Sequence, residues 1–268
     1  MSPARWVITG TSGFLGRYVV ARAAALGIPT VAAGRQPGDP IPLDLRDGEV
    51  AGFPLERWLG DGGAAGVLHL AAMSRMGPCA ADPRAAIRHN GIATRALAAA
   101  AARRQVPFWM VSTDLVFSGH GSPYRSDATP SPTSAYGTSK AMGERFTLDL
   151  GGAVVRVPLL FGPSHDGRHG ATDMFHRALR EGAPLKLFHN EWRTPLHVVD
   201  AADMLWQLIA AVEGSSPGAG SGSAPGLGTG GLPRPTDRTS GDPVFHLAGP
   251  ERIDRHSLWL RFLATQDE

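Results

Sequence analysis

Trp6-Val7-Ile8-Thr9-Gly10-Thr11-Ser12-Gly13-Phe14-Leu15-Gly16 reads as a buried strand, a tight turn and the start of a helix. Four residues of an apolar run lead directly into three glycines spaced Gly-x-x-Gly-x-x-Gly, and the amphipathic stretch Leu15 to Leu26 follows. Glycine at such a turn permits left-handed backbone and lets another backbone or a phosphate approach closely. The helix that begins there offers free N–H groups and a partial positive charge to an anion. A three-glycine pattern is weak in a chain with 34 glycines. Its place between a strand and a helix is what makes it specific.

Outward from this unit the same alternation continues. Strands are expected at Pro29 to Ala33, Gly66 to Leu70, Phe108 to Ser112, Ala153 to Val157 and Val244 to Leu247. Helices are expected at Ala85 to Arg103, Thr138 to Leu148 and Arg255 to Leu263. Strands separated by helices imply a parallel sheet covered on both faces, an α/β fold. The Ala-rich helix needs no further role than packing. From Ser215 to Gly241 a Gly/Ser/Pro tract replaces this pattern and is expected to be a disordered surface loop. The chain divides on this reading into a nucleotide-binding domain, 1–155, and a second part, 156–268, that is mainly a small lobe over the carboxyl edge of the sheet.

The 268 residues, 43% of them hydrophobic, suffice for one large domain or a domain with a small partner lobe. Net charge is +2, and no dense Lys/Arg run marks a nucleic-acid surface. No stretch approaches the roughly 20 apolar residues of a membrane span, and the first residues contain no secretory apolar core. Cys79 is the single cysteine, so an internal disulfide and a cysteine-based zinc site are excluded, and a reducing cytoplasm is the expected compartment. The loop bearing His165, Asp166 and His169 offers no credible ligand set, and no metal is expected.

Tyr136-Gly137-Thr138-Ser139-Lys140 carries the chemistry. Residues four apart share a helix face, and the chain has only three tyrosines and two lysines. An ammonium one turn from a phenol favours the phenolate and lowers the phenol's pKa from about 10, so Tyr136 is expected to exchange a proton with a substrate oxygen near neutral pH. Thr113, at the end of the Phe108 strand, lies where ligand sites of open α/β sheets form and can hydrogen-bond a carbonyl oxygen.

Together these segments resemble the extended short-chain dehydrogenase/reductase family. Ser112-Thr113-Asp114-Leu115-Val116-Phe117-Ser118-Gly119 followed by Tyr136 and Lys140 resembles in particular the dTDP-4-dehydrorhamnose reductase group. The resemblance covers residues 5 to about 260, apart from the Gly/Ser tract. It implies a Rossmann-type doubly wound parallel sheet with a small C-terminal substrate-binding lobe. The implied activity is nicotinamide-dependent reduction of a 4-keto nucleotide-sugar, with an epimerase or a non-catalytic NADP-binding regulatory protein as alternatives. It gives Thr113, Tyr136 and Lys140 the catalytic roles. It assigns cofactor contacts to Gly10, Thr11, Ser12, Gly13, Phe14, Leu15 and Gly16, to Asp44 and Leu45 near the adenine, to Leu70, Ala71 and Ala72 after His69, and to Asn90, Pro158, Tyr136 and Lys140. Met73, Asp114 and Arg193 are the implied substrate contacts. His69 itself reads as a packed core histidine.

The second strand ends Ala33-Gly34-Arg35 without the acid that would bind a ribose 2′-hydroxyl, and Arg35 can pair with a 2′-phosphate. NADP(H) is therefore the preferred cofactor, with NAD(H) the alternative. The partners expected are a small molecule and a second copy in a homodimer, not nucleic acid or a membrane.

Overall fold

The computed structural model describes residues 4–46, 63–167, 169–214 and 243–265. The Gly/Ser/Pro tract, called as a loop from its composition, lies outside the described residues.

The opening unit forms as read: β1 (Arg5–Thr9) runs into α1 (Phe14–Ala25), and β2 (Thr30–Gly34) returns beside it. A short β3 (Ile41–Pro42) and then β4 (Ala64–His69) follow. The Ala-rich region begins with α2 (Met76–Ala81) and α3 (Pro83–Ile87), passes through a π-helical turn at Arg88–Ile92, and continues as α4 (Ala93–Arg103). Asp82 starts α3 by accepting the Ala85 N–H at 2.8 Å, with Pro83 at the first helical position. Next come β5 (Phe108–Thr113), α5 (Ala135–Asp149) and β6 (Ala153–Val157). Ser134 caps α5 by accepting the Gly137 N–H at 3.0 Å, so this helix starts three residues earlier than periodicity alone suggests.

The last third contains β7 (Leu160–Phe161), α6 (Ala171–Glu181), β8 (Trp192–Arg193), β9 (Leu196–His197), α7 (Val198–Glu213), β10 (Val244–His246), β11 (Ile253–Asp254) and α8 (Arg255–Ala264). Seven parallel strands make the central sheet in the order β3-β2-β1-β4-β5-β6-β10. Two small ribbons, antiparallel β8–β11 and parallel β7–β9, stand apart from it.

Alternate residues of β1 supply the two cores. Trp6 and Ile8 face one side, with Val19, Trp109, Val155 and Trp206; Val7 faces the other, with Val31, Val67, Leu97 and Met110. The division expected near residue 155 is not a clean one. α7 packs along α1 and β10 extends the main sheet, so the C-terminal third completes the first core as well as building a lobe. Trp206 shows this directly. It is 1% exposed, meets Trp6 edge to face at 5.6 Å, and donates its indole N–H to the Val19 carbonyl at 3.0 Å.

Trp206→Ala is therefore expected to cost about 3–5 kcal/mol of unfolding free energy. Urea unfolding followed by circular dichroism checks this, and a loss below about 1 kcal/mol would place α7 outside the cooperative core.

Candidate active site

At the carboxyl ends of the parallel strands lies a cleft of about 1310 Å³. Its floor is the gap between β1 and β4, where the chain turns to opposite sides of the sheet. That switch point is where open α/β sheets hold ligands.

The glycine turn is fitted to a backbone-to-backbone approach. Gly10 has φ +73°, and a Cβ there would sit 2.7 Å from the Ala71 backbone nitrogen. A Cβ on Gly16 would lie 2.1 Å from the Gly10 carbonyl oxygen. Gly13 caps α1 without a side chain, and no acid occupies the helix's first turn. The first N–H groups are thus left for an anion. Residues 10–16 all line the cleft, as do Leu70, Ala71 and Ala72. His69 beneath them is packed between Thr9 Oγ1 at 2.7 Å and Thr94 Oγ1 at 3.0 Å. Burial, and then the charge of Lys140, hold its pKa well below the ordinary histidine value, so it is a neutral core residue as expected.

At the β2 end, Arg35 lines the cleft. The strand end is not free of carboxylates, however. Asp39 folds back: its Oδ2 accepts the Gln36 N–H at 2.8 Å and lies 2.6 Å from where a Gly34 Cβ would be. The turn hides this acid from a reading that looks only at the residues directly after the strand. Asp44 does not line the cleft, whereas Leu43 and Leu45 do. Its carboxylate binds the Arg46 guanidinium, with Nε at 2.8 Å, and that hydrogen bond lowers its pKa to about 2. His89, unforeseen, also faces this part of the cleft.

Asn90 and Met73 are placed differently from expectation. Asn90 is 1% exposed in the π-helical turn and outside the cleft lining. Its Oδ1 accepts the Met73 N–H at 2.8 Å, and its Nδ2 donates to Met73 O at 3.0 Å and to Ser139 Oγ at 2.9 Å. It ties the segment after β4 to α5 and holds the wall of the site. The extra residue of the π turn aims the amide there, and such turns recur at functional sites.

Tyr136 and Lys140 both face the cleft from α5. Lys140 is 2% exposed and donates from Nζ to the Val111 carbonyl at 2.8 Å. Burial lowers its pKa to about 8, against the opposing pull of Glu144 one turn on. The ammonium does not acidify Tyr136 here, contrary to the sequence-based expectation. Burial raises the Tyr136 pKa, the Asp114 carboxylate adds to that, and the nearby Thr113 hydroxyl and the charge of Arg193 oppose it more weakly. Desolvation outweighs charge at this phenol, and counting nearby charges along a helix omits that.

Thr113 stands at the end of β5, outside the cleft lining and behind Asp114. Its Oγ1 accepts the Leu115 N–H at 3.2 Å and donates to Asp114 Oδ1 at 3.2 Å. Asp114 is gripped by Arg193 in a bidentate pair, Nε to Oδ2 at 2.6 Å and Nη2 to Oδ1 at 2.5 Å. Both line the cleft, so β8 of the lobe is joined to the residue beside Thr113. Pro158 also lines the cleft. Ser112 Oγ is buried, has no hydrogen-bond partner among the described residues and belongs to a cleft-lining residue, which leaves a polar group available to a bound molecule.

A buried pair supports the back of α5. Arg156 binds Glu144 through Nη2 at 2.7 Å and Nε at 3.1 Å, gives Nη1 to Ser126 O at 3.1 Å, and lies over the Phe117 ring. The Glu144 signal was available one turn beyond Lys140 on the same face; its partner on β6 was not.

The site fits a nicotinamide dinucleotide in three respects. The glycine turn leaves space and N–H groups for a pyrophosphate, Lys140 faces the same cleft, and Ser112 Oγ awaits a partner.

The sequence profile of the RmlD substrate binding domain matches residues 4–220. A dTDP-4-keto-6-deoxy-D-glucose reductase of Streptomyces niveus is 33% identical over 222 residues, 80% of this chain and 70% of that protein. Methionine adenosyltransferase 2 subunit beta of Mus musculus is 32% identical over 209 residues, 76% of this chain and 61% of that protein. The chain thus spans about three fifths to seven tenths of these relatives' lengths. In structure it resembles a dTDP-4-dehydrorhamnose reductase from Bacillus anthracis in complex with NADP, at TM-score 0.76 and 18% identity, over 100% of this chain and 82% of that one. Other structures of similar fold, at TM-scores of 0.71–0.74, hold NAD. On the match to residues 4–220 and the Rossmann-type sheet, the chain belongs to the RmlD substrate-binding-domain family of extended short-chain dehydrogenase/reductases, a family of NAD(P)-dependent oxidoreductases.

Proposed function

We propose that this chain is an NAD(P)H-dependent carbonyl reductase acting on a 4-keto nucleotide-sugar. The observation that carries the reading is the meeting of Tyr136 and Lys140 in one cleft beside the glycine turn.

When bound, a reduced nicotinamide supplies the hydride. Residues 10–16 would cradle its pyrophosphate and Lys140 would hold its nicotinamide ribose. Tyr136 supplies the proton. A phenol is protonated at neutral pH, the state a general acid needs, and burial moves the Tyr136 pKa further in that direction. As the carbonyl oxygen gains negative charge it takes the Tyr136 proton, and the charge of Arg193 favours the phenolate left behind. At the far end of the cleft lie Arg193, Arg252 and Arg255; Arg193 is held by Asp114 and Glu191, Arg255 by Glu191, and Arg252 lies over the Trp192 ring, so a diphosphate would compete with these partners for the guanidiniums. The single buried cysteine fits a cytoplasmic enzyme.

The similarity to the methionine adenosyltransferase β subunit favours a second reading, a non-catalytic regulatory protein that binds NADP. An epimerase of the same family is a third. Turnover separates them. With a panel of keto nucleotide-sugars, NADPH oxidation is expected in the wild type. Tyr136→Phe is expected to lose at least about a hundredfold in kcat while binding NADPH normally in a fluorescence titration. Undiminished turnover in that variant overturns the proton-donor assignment.

Lys140 must carry its proton to do its work. Activity is therefore present below its pKa of about 8 and lost as pH rises through it. The kcat/KM profile should fall about tenfold per pH unit above that point; a flat profile to about pH 9.5 would remove Lys140 from the mechanism.

NADPH is expected to bind more tightly than NADH through Arg35. Arg35→Ala should reduce that preference by about tenfold. Equal affinities in the wild type would transfer the strand-end role to Asp39 and to NADH.

A further inference from the structure

His189 lies 65 residues before Asp254, which is two residues before His256, and the β8–β11 ribbon brings His189 to the other two. His189 precedes β8, Asp254 ends β11 opposite Trp192, and His256 is in the first turn of α8. We propose that these three residues form a binding site for a divalent transition-metal ion of the zinc class, separate from the reductase chemistry.

Each contributes one ligand atom, and the three atoms lie within 4.8 Å of one another. The imidazoles of His189 and His256 are 4.4 Å apart between centroids and tilted by 44°, so neither ring lies flat on the other. Asp254 is 7% exposed and is oriented before any ion arrives. Its Oδ1 accepts the His256 and Ser257 N–H groups at 2.9 Å, and its Oδ2 accepts the Ser257 hydroxyl at 2.7 Å. A carboxylate oxygen has two acceptor positions, so Oδ2 keeps one for a cation. The Ser257 hydroxyl then acts as the outer partner that fixes a ligand's direction.

Two imidazoles with one carboxylate select borderline cations such as zinc over magnesium or calcium, which prefer all-oxygen shells. Zinc bonds of about 2.0–2.2 Å require the three atoms to close by roughly 1 Å. The exposed His189 can rotate to supply that, while Asp254 stays anchored. Three protein ligands leave a position for water. Binding would clamp the loop before β8 to the start of α8, and so stiffen the ribbon that presents Arg193 to the cleft.

The test uses the tag-free full chain, stripped with a chelator and titrated with zinc chloride by isothermal calorimetry. One zinc ion per chain is expected. At a hundredfold excess over Kd, zinc should raise the melting temperature by roughly 5 °C. His189→Ala and His256→Ala should each weaken zinc binding at least tenfold and lose that rise, and unchanged NADPH affinity in both would show intact folding. No zinc binding by the wild type overturns the proposal. So does zinc binding as tight in both variants as in the wild type, since the ion would then lie elsewhere.

Discussion

A buried ammonium docked on a sheet carbonyl organises this molecule. Taking Lys140 out of water costs several kcal/mol unless partners replace the lost hydration. Val111 O replaces part of it directly, and Glu144 supplies the opposite charge one helical turn on. Glu144 is itself only 1% exposed, and the Arg156 guanidinium satisfies it. Arg156 in turn needs Ser126 O, His246 and the Phe117 ring. One polar chain therefore runs from β5 through α5 to β6 and β10. Because removing any member strands a buried charge, the chain holds the register of α5 against the sheet and so the direction of Tyr136 into the cleft.

Paired polar side chains also join the two parts of the molecule. The lobe does not merely cover the sheet's edge. Arg193 reaches from β8 to Asp114, and Asp114 accepts a hydrogen bond from the Thr113 hydroxyl at the end of β5.

The parts legible in the sequence are those where local rules decide. β1, the glycine turn and α1 follow from apolar runs and steric demands inside sixteen residues. Tyr136 and Lys140 stood out because their residue types are scarce here and four-residue spacing puts them on one face. What was hidden depends on long-range placement. Alanines favour helix equally along residues 85–103, so nothing local marks the π turn that diverts Asn90 toward Met73. Asp39 reaches the end of β2 only through a turn. α7 belongs to the first core because Trp206 finds Trp6, two hundred residues earlier. Arg193 and Asp114 are paired across the cleft by packing that no spacing rule describes.

The misjudged electrostatics of Tyr136 sharpen the functional reading. A dehydrogenase or epimerase that begins by removing a hydroxyl proton needs a phenolate at the start, and an oxidised nicotinamide brings a positive ring that would favour one. A reductase begins with the opposite requirement. Its reduced nicotinamide is a neutral ring and leaves the phenol's environment to the protein. Here burial and Asp114 together hold the proton on Tyr136. A protonated phenol is the state from which carbonyl reduction starts, so the direction of this shift agrees with the reductase reading.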